Sequence, residues 1–288
     1  MAPKHIAIYG KGGVGTSTMT SNISAALAEI GYRVIQIGFD PKNESTGTLR
    51  GEREVTTLLE AVQKKRDVTA ENVAVAGFKG VLCVEAGLPA PGVGCTGHTF
   101  GEVISLLKEP GLFVEHRPDF VIYDVSGDAV CGGIVAPLLN GIAERVYVVS
   151  SSDFMSLFAA NGFFRLINEH GEKGGAAFGG LIANGLTAPF AESIVDDFAR
   201  KTGSPVVGYV PRSLVVMQSE LYGQTVIEAA PLSNHAYIYR RLARHIARQE
   251  GGELPQPLSP GELKRWARKW GDRILELETG VISEGEGI

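Results

Sequence analysis

Short, largely apolar runs, several rich in β-branched residues, recur along the chain at 5–9, 34–37, 81–84, 120–123, 146–149, 180–183 and 206–209. Between most of them, apolar residues repeat every three or four positions. That spacing predicts helices over 17–30, 56–65, 99–107, 154–169, 190–202 and 236–250. Strands that are apolar at every position, rather than at every second one, bury both faces. Their alternation with helices predicts an α/β fold built on a mostly parallel, doubly wound sheet flanked by helices.

No internal repeat is evident. The one linker-like stretch is Gly251-Gly252-Glu253-Leu254-Pro255-Gln256-Pro257. Beyond it, Ser259-Pro260 reads as an N-cap with proline at the first helical position. The following helix, 261–277, carries Leu263, Trp266, Trp270, Ile274 and Leu277 on one stripe, expected to pack on the same chain or on a symmetry mate. The chain therefore divides into a main domain at 1–250 and a C-terminal linker, helix and tail at 251–288, the end of which reads as frayed.

Composition narrows the class. The 288 residues are 44% hydrophobic with a net charge of −5, enough for a full core and without a nucleic-acid footprint. The nearest basic cluster, Lys64-Lys65-Arg66, reads as a solvated helix end. No apolar run approaches the ~20 residues of a membrane span, and the N-terminus enters the first strand without a signal-peptide core. These features lead to the expectation of a cytoplasmic protein with no membrane or nucleic-acid partner. The cysteines, Cys83, Cys95 and Cys131, are odd in number and do not form a disulfide framework.

The first strand runs directly into Gly10-Lys11-Gly12-Gly13-Val14-Gly15-Thr16-Ser17-Thr18 and then into a helix. Strand, glycine loop and helix N-terminus make an anion site, and the pattern G-x-x-x-x-G-K-[ST] offers backbone N–H groups to phosphates and a hydroxyl to Mg²⁺. Here Thr16 occupies the lysine slot, while Lys11 stands near the loop's start. The chain is expected to be a P-loop NTPase with a deviant Walker A motif. A glycine-rich turn without a ligand is the alternative reading of the same residues.

Ligands of open parallel sheets gather where strands end. Asp40 follows the second strand, Asp124 closes the fourth, and Asn184 follows the sixth. Asp124 has the Walker B placement, where a carboxylate supports the Mg²⁺ shell. Asp40 and Asp128 are further carboxylates suited to orienting a water near a γ-phosphate; for each, a helix N-cap is the alternative. Cys95 and Cys131 are set among glycines, a setting that suits thiolate ligands of an iron–sulfur cluster. Two cysteines leave a four-thiolate site half complete, and a two-fold homodimer would complete it. Read alone, both could instead be buried apolar thiols, as Cys83 is expected to be. Zinc is disfavoured by six scattered histidines and the absence of a C-x₂-C pair.

From about Lys4 to Glu228 the chain resembles the nitrogenase iron protein family, which includes the reductase subunits of dark-operative protochlorophyllide reductase and other nitrogenase-like enzymes. The segments that carry the likeness are Ala7-Ile8-Tyr9-Gly10-Lys11-Gly12-Gly13, Asp40-Pro41-Lys42, Pro91-Gly92-Val93-Gly94-Cys95, Tyr123-Asp124-Val125, Gly127-Asp128, Val130-Cys131-Gly132-Gly133, Ala159-Ala160-Asn161 and Val210-Pro211-Arg212. The resemblance implies a homodimer holding one [4Fe–4S] cluster through Cys95 and Cys131 of each chain. It implies ATP and Mg²⁺, a nitrogenase-like catalytic partner and a ferredoxin or flavodoxin as electron donor. It makes Lys11 a phosphate contact across the dimer interface, Ser17 the Mg²⁺ ligand, and Asp40 to Glu44 and Asp124 to Asp128 two nucleotide-sensing switches. Asp128 then positions the attacking water, and Asn184, Pro211 and Arg212 surround the adenine and ribose.

The departures from the family pattern are Thr16 for the loop lysine, His98 for an arginine three residues after the first cluster cysteine, Glu44 for an aspartate, and Met217 for a polar residue near the base. The implied function is an ATP-dependent one-electron reductase component. A dimerising switch ATPase without a redox role fits Lys11 and the fold equally, but has no need for the paired cysteines. A third reading is a nucleotide-binding component whose hydrolysis was lost with the lysine. The terminal substrate is not written in this chain.

Overall fold

The computed structural model describes residues 2–64, 68–87, 103, 105–106, 116–127, 137–138, 142–171, 175–187 and 190–280. The elements used below are β1 (Lys4–Gly10), α1 (Thr16–Glu29), β2 (Val34–Phe39), α2 (Gly47–Arg50), α3 (Leu58–Gln63), α4 (Ala70–Val73), β3 (Ala74–Ala76), β4 (Leu82–Glu85), β5 (Phe120–Ser126), β6 (Arg145–Ser150), α5 (Phe154–Gly171), β7 (Ala177–Leu186), α6 (Ala191–Thr202), β8 (Val206–Pro211), α7 (Leu214–Leu221), α8 (Val226–Ala229), α9 (Asn234–Arg248) and α10 (Pro260–Thr279). Of the helix expected at 99–107, only Val103, Ser105 and Leu106 are among the described residues, and these are helical.

The strands form one sheet in the order β3-β4-β2-β5-β1-β6-β7-β8. Among the described residues every pairing is parallel except β3 with β4. The doubly wound α/β expectation is met, with the short antiparallel edge strand β3 added to it. Period-two alternation divides the strand residues between two cores. Ala7, Tyr9, Ile35, Ile37, Val121, Tyr123, Val146 and Val148 face one cluster, whose other side is furnished by α3, α5, α6 and α10. Ile6, Ile8, Val34, Ile122, Tyr147 and Val149 face the second, closed by α1 and α9. Complete burial of side chains such as Ile23 and Leu27 of α1 contributes about 1.5–3 kcal/mol each, which fixes α1 against the sheet directly behind the glycine loop.

The cap signals around the last helix are realised. Ser259 forms a capping box with Glu262, and Pro260 opens the helix. Leu263 and Trp266 enter the first core, and both indole N–H groups, of Trp266 and Trp270, donate to Asp197 Oδ2 of α6 at 2.8 and 3.0 Å. No helix among the described residues is long and apolar enough to cross a membrane.

Candidate functional site

The strand order places the C-terminal end of β1 between those of β5 and β6, where chain connections diverge to opposite sides of the sheet. A crevice opens at such a point, and the loop between β1 and α1 fills its floor. Gly15, at the N-cap of α1, has φ 90° and ψ 30°, a left-handed conformation that glycine adopts without strain. No side chain caps α1 and no acidic residue occupies its first turn. The first-turn N–H groups therefore face the crevice, a geometry suited to phosphate oxygens.

Beneath the loop, Asp124 on β5 is only 1% exposed. Burial pushes its carboxyl up to about 6, and the charge of Asp40 adds to the rise; hydrogen bonds from Ser17, Ser45 and Thr20 oppose it. The Ser45 hydroxyl donates to Oδ2 at 2.5 Å and that of Thr20 to Oδ1 at 3.4 Å. A serine hydroxyl, a buried carboxylate and a second carboxylate within electrostatic reach form a hard, all-oxygen donor set that matches Mg²⁺, and a bound cation would reverse the rise at Asp124. The residues present thus fit Mg²⁺ with a nucleotide.

Asp40 is half-buried and caps no helix; its Oδ2 accepts from the N–H of Lys42 at 3.2 Å, closing a turn after β2. Lys11 is exposed and its Nζ lies 3.4 Å from the carbonyl of Gly12. Thr16, in the lysine slot, is buried at 6% exposure. Asn184, at the end of β7, donates from Nδ2 to the carbonyl of Val14 at 2.8 Å, so it braces the loop as well as facing the crevice.

One flank of the loop opens into a cavity of about 680 Å³ lined by Asn184, Pro211, Arg212 and Met217, of a size that holds a nucleoside. Glu220, which no motif marks, also lines it and accepts a hydrogen bond from Thr18 across the cavity mouth. A second unmarked residue is Glu85, a fully buried carboxylate at the end of β4 whose Oε1 accepts from both the N–H and the hydroxyl of Thr46 at 2.8 and 2.7 Å. Burial pushes Glu85 up to about 7, with Thr46 opposing and Asp124 reinforcing the rise. An apolar strand closing on a carboxylate was the available signal, the same one that marks Asp124.

Cys95, Cys131, Asp128 and His98 lie outside the described residues. Among the described residues no group of His, Cys, Asp and Glu has the makings of a metal cage, and Cys83 is a buried free thiol that burial pushes up to about 12.

Comparison with known proteins follows the same line. Residues 4–271 match the family of 4Fe-4S iron sulfur cluster binding proteins, NifH/frxC family. The chain is 52% identical over 280 residues to nitrogenase iron protein 2 of Paenibacillus durus, covering 97% of this chain and 96% of that one. It is 44% identical over 267 residues to nitrogenase iron protein 2 of Methanothermobacter thermautotrophicus, covering 93% and 98%. Among solved structures, the MinD cell division protein of Aquifex aeolicus superposes with a TM-score of 0.67 at 19% identity, over 86% of this chain and 98% of that one, a likeness of fold alone. On its near full-length match, this chain belongs to the NifH/frxC family of 4Fe-4S iron–sulfur cluster binding proteins, the family of the nitrogenase iron proteins.

Proposed function

We propose that the protein is the ATP-dependent reductase component of a nitrogenase or nitrogenase-like system, working as a homodimer that passes single electrons to a separate catalytic protein. The observation that carries this reading is the Ser17–Asp124 pair under an uncapped helix N-terminus, in a chain of this family. Cys95 and Cys131 of both subunits would hold a [4Fe–4S] cluster, which would supply the one-electron chemistry.

The chain's own residues supply binding and timing. Backbone N–H groups of Gly12 to Thr18 would hold phosphate oxygens, and Ser17 with Asp124 would hold Mg²⁺, which would neutralise phosphate charge there. Asn184, Pro211 and Arg212 enclose the nucleoside. Asp128 orients the attacking water, Asp40 assists at the Mg²⁺ shell, and Lys11 reaches the phosphates of the opposite subunit, supplying the cation that Thr16 does not. Ferredoxin or flavodoxin is the donor by class.

The test is reconstitution under anaerobic conditions with a nitrogenase-like catalytic protein, following ATP hydrolysis and electron transfer together. Stimulated hydrolysis coupled to transfer supports the reading. Transfer that proceeds without ATP, or hydrolysis that never accompanies transfer, contradicts it.

A further inference from the structure

Two buried carboxylates on different strands hold the same dipeptide. In the sheet, β2 lies between β4 and β5, and the chain leaving β2 returns through Asp40–Glu44 to Ser45 and Thr46. Glu85 of β4 accepts twice from Thr46, and Asp124 of β5 accepts from Ser45. The Ser45 carbonyl also accepts from Ser21 Oγ of α1 at 3.1 Å and from Gln36 Nε2 of β2 at 3.2 Å. Ser45 and Thr46 are 2% and 0% exposed, whereas Lys42 and Glu44 just before them are exposed.

Glu85 is an expensive way to build this contact. It is 0% exposed, and its second oxygen, Oε2, has no hydrogen-bond partner among the described residues. That oxygen occupies the space above Gly38, where any side chain would collide with it. A buried carboxylate is costly unless paired, so its place here calls for a role other than core stability.

We propose that Glu85 is a positioning residue for ATP hydrolysis: it clamps Ser45–Thr46 as a fixed anchor, so that the Ser45 hydroxyl stays on Asp124 while residues 40–44 shift at the nucleotide. A segment secured at both ends can only bend between them, and without the clamp the same shift would carry Ser45 away from Asp124. This rests on the nucleotide role given above to Asp40 and Asp124.

The experiment compares Glu85→Ala, Glu85→Gln and Thr46→Val in the full-length homodimer. Amide hydrogen exchange of peptides spanning 44–49 is read without nucleotide, and steady-state ATP hydrolysis is read with the catalytic partner present and Mg²⁺ in excess. Glu85→Ala is expected to speed exchange about tenfold or more and to lower kcat by a similar factor, with KM for ATP within about threefold of the parent. Glu85→Gln, whose amide oxygen accepts the same two bonds, is expected to restore both. Thr46→Val keeps the volume and removes one of the two donors, so an intermediate increase in exchange is expected; it also carries the test if Glu85→Ala does not fold. Unchanged exchange in both Glu85→Ala and Thr46→Val overturns the proposal. So does a glutamine variant that restores exchange but not kcat. A parent protein that does not hydrolyse ATP even with its catalytic partner present would contradict the function proposed above, while the exchange comparison would still decide whether Glu85 is the clamp.

Discussion

The backbone N–H of Gly127 donates to the carbonyl of Gly10 at 2.7 Å, joining the end of β5 to the start of the phosphate loop. A Cβ at position 127 would lie 2.8 Å from that carbonyl oxygen and 3.1 Å from the Cα of Lys11. Both obstacles are backbone atoms, so neither can turn aside. Gly127→Ala is expected to force the two segments apart at a cost of about 1–3 kcal/mol. Nucleotide titration should show affinity for Mg·ATP lowered about tenfold or more, with a lower unfolding midpoint as the independent sign of strain.

Thr16 leaves the crevice with fewer cations than its motif normally supplies. Its hydroxyl is packed into the space above Gly10, so a longer side chain at 16 must take another course. Thr16→Lys is expected to add one charge-assisted contact worth roughly 1.5–3 kcal/mol, tightening Mg·ATP ten- to a hundredfold. Calorimetric titration measures this directly; unchanged or weaker binding would mean that the pocket is organised around threonine.

Glu85 ties stability to pH. Its carboxyl is raised from an ordinary 4.5 to about 7 on folding, mainly by burial. The folded chain therefore holds this proton more tightly than the unfolded chain. Its contribution is most favourable below pH 4.5, declines as pH rises towards 7, and is constant above that. Asp124 has the same sign over the range from 3.8 to about 6. Glu85→Gln mimics the neutral acid and should remove the Glu85 share, on the order of 3 kcal/mol between pH 4.5 and 7.5. Denaturant unfolding of parent and variant without nucleotide at several pH values checks this: the two should diverge as pH rises, with the variant the more stable at pH 7.5.

The C-terminal helix is part of the core rather than an appendage. Leu263 is 1% exposed in the same cluster as Phe198 and Trp266, whose rings lie 5.6 Å apart. Leu263→Ala is expected to cost about 2–5 kcal/mol in global stability. Leu277→Ala, at a side chain 61% exposed on the same helix, should stay within about 0.5 kcal/mol of the parent. Thermal or denaturant unfolding distinguishes the two.

Most of the sheet was legible because a strand buried on both faces leaves an unbroken apolar run, as at Val146–Val149 in β6, and because Ser259-Pro260 states its cap locally. The edge strand Ala74–Ala76 was not, since three small residues against one neighbour leave no periodic signature. The short helices at Leu214–Leu221 and Val226–Ala229 escaped for a related reason: the apolar residues of the first are largely exposed, and the second is a single turn. In the site, loop, Asp124 and Asn184 could be found by their place at strand ends. What Asn184 and Glu85 hold could not, because Val14 and Thr46 are brought to them only by tertiary packing across 170 and 39 residues.

The function proposed above requires two copies of the chain to share one redox cluster through Cys95 and Cys131. Iron analysis with low-temperature EPR of anaerobically purified, dithionite-reduced protein, beside Cys95→Ser and Cys131→Ser, addresses that sharing without any partner protein. About four irons per two chains are expected, with a reduced [4Fe–4S] signal that either substitution abolishes, while the Cys83→Ser variant retains it. Protein that stays colourless after anaerobic reconstitution, or a cluster signal that survives both substitutions, would contradict a shared cluster.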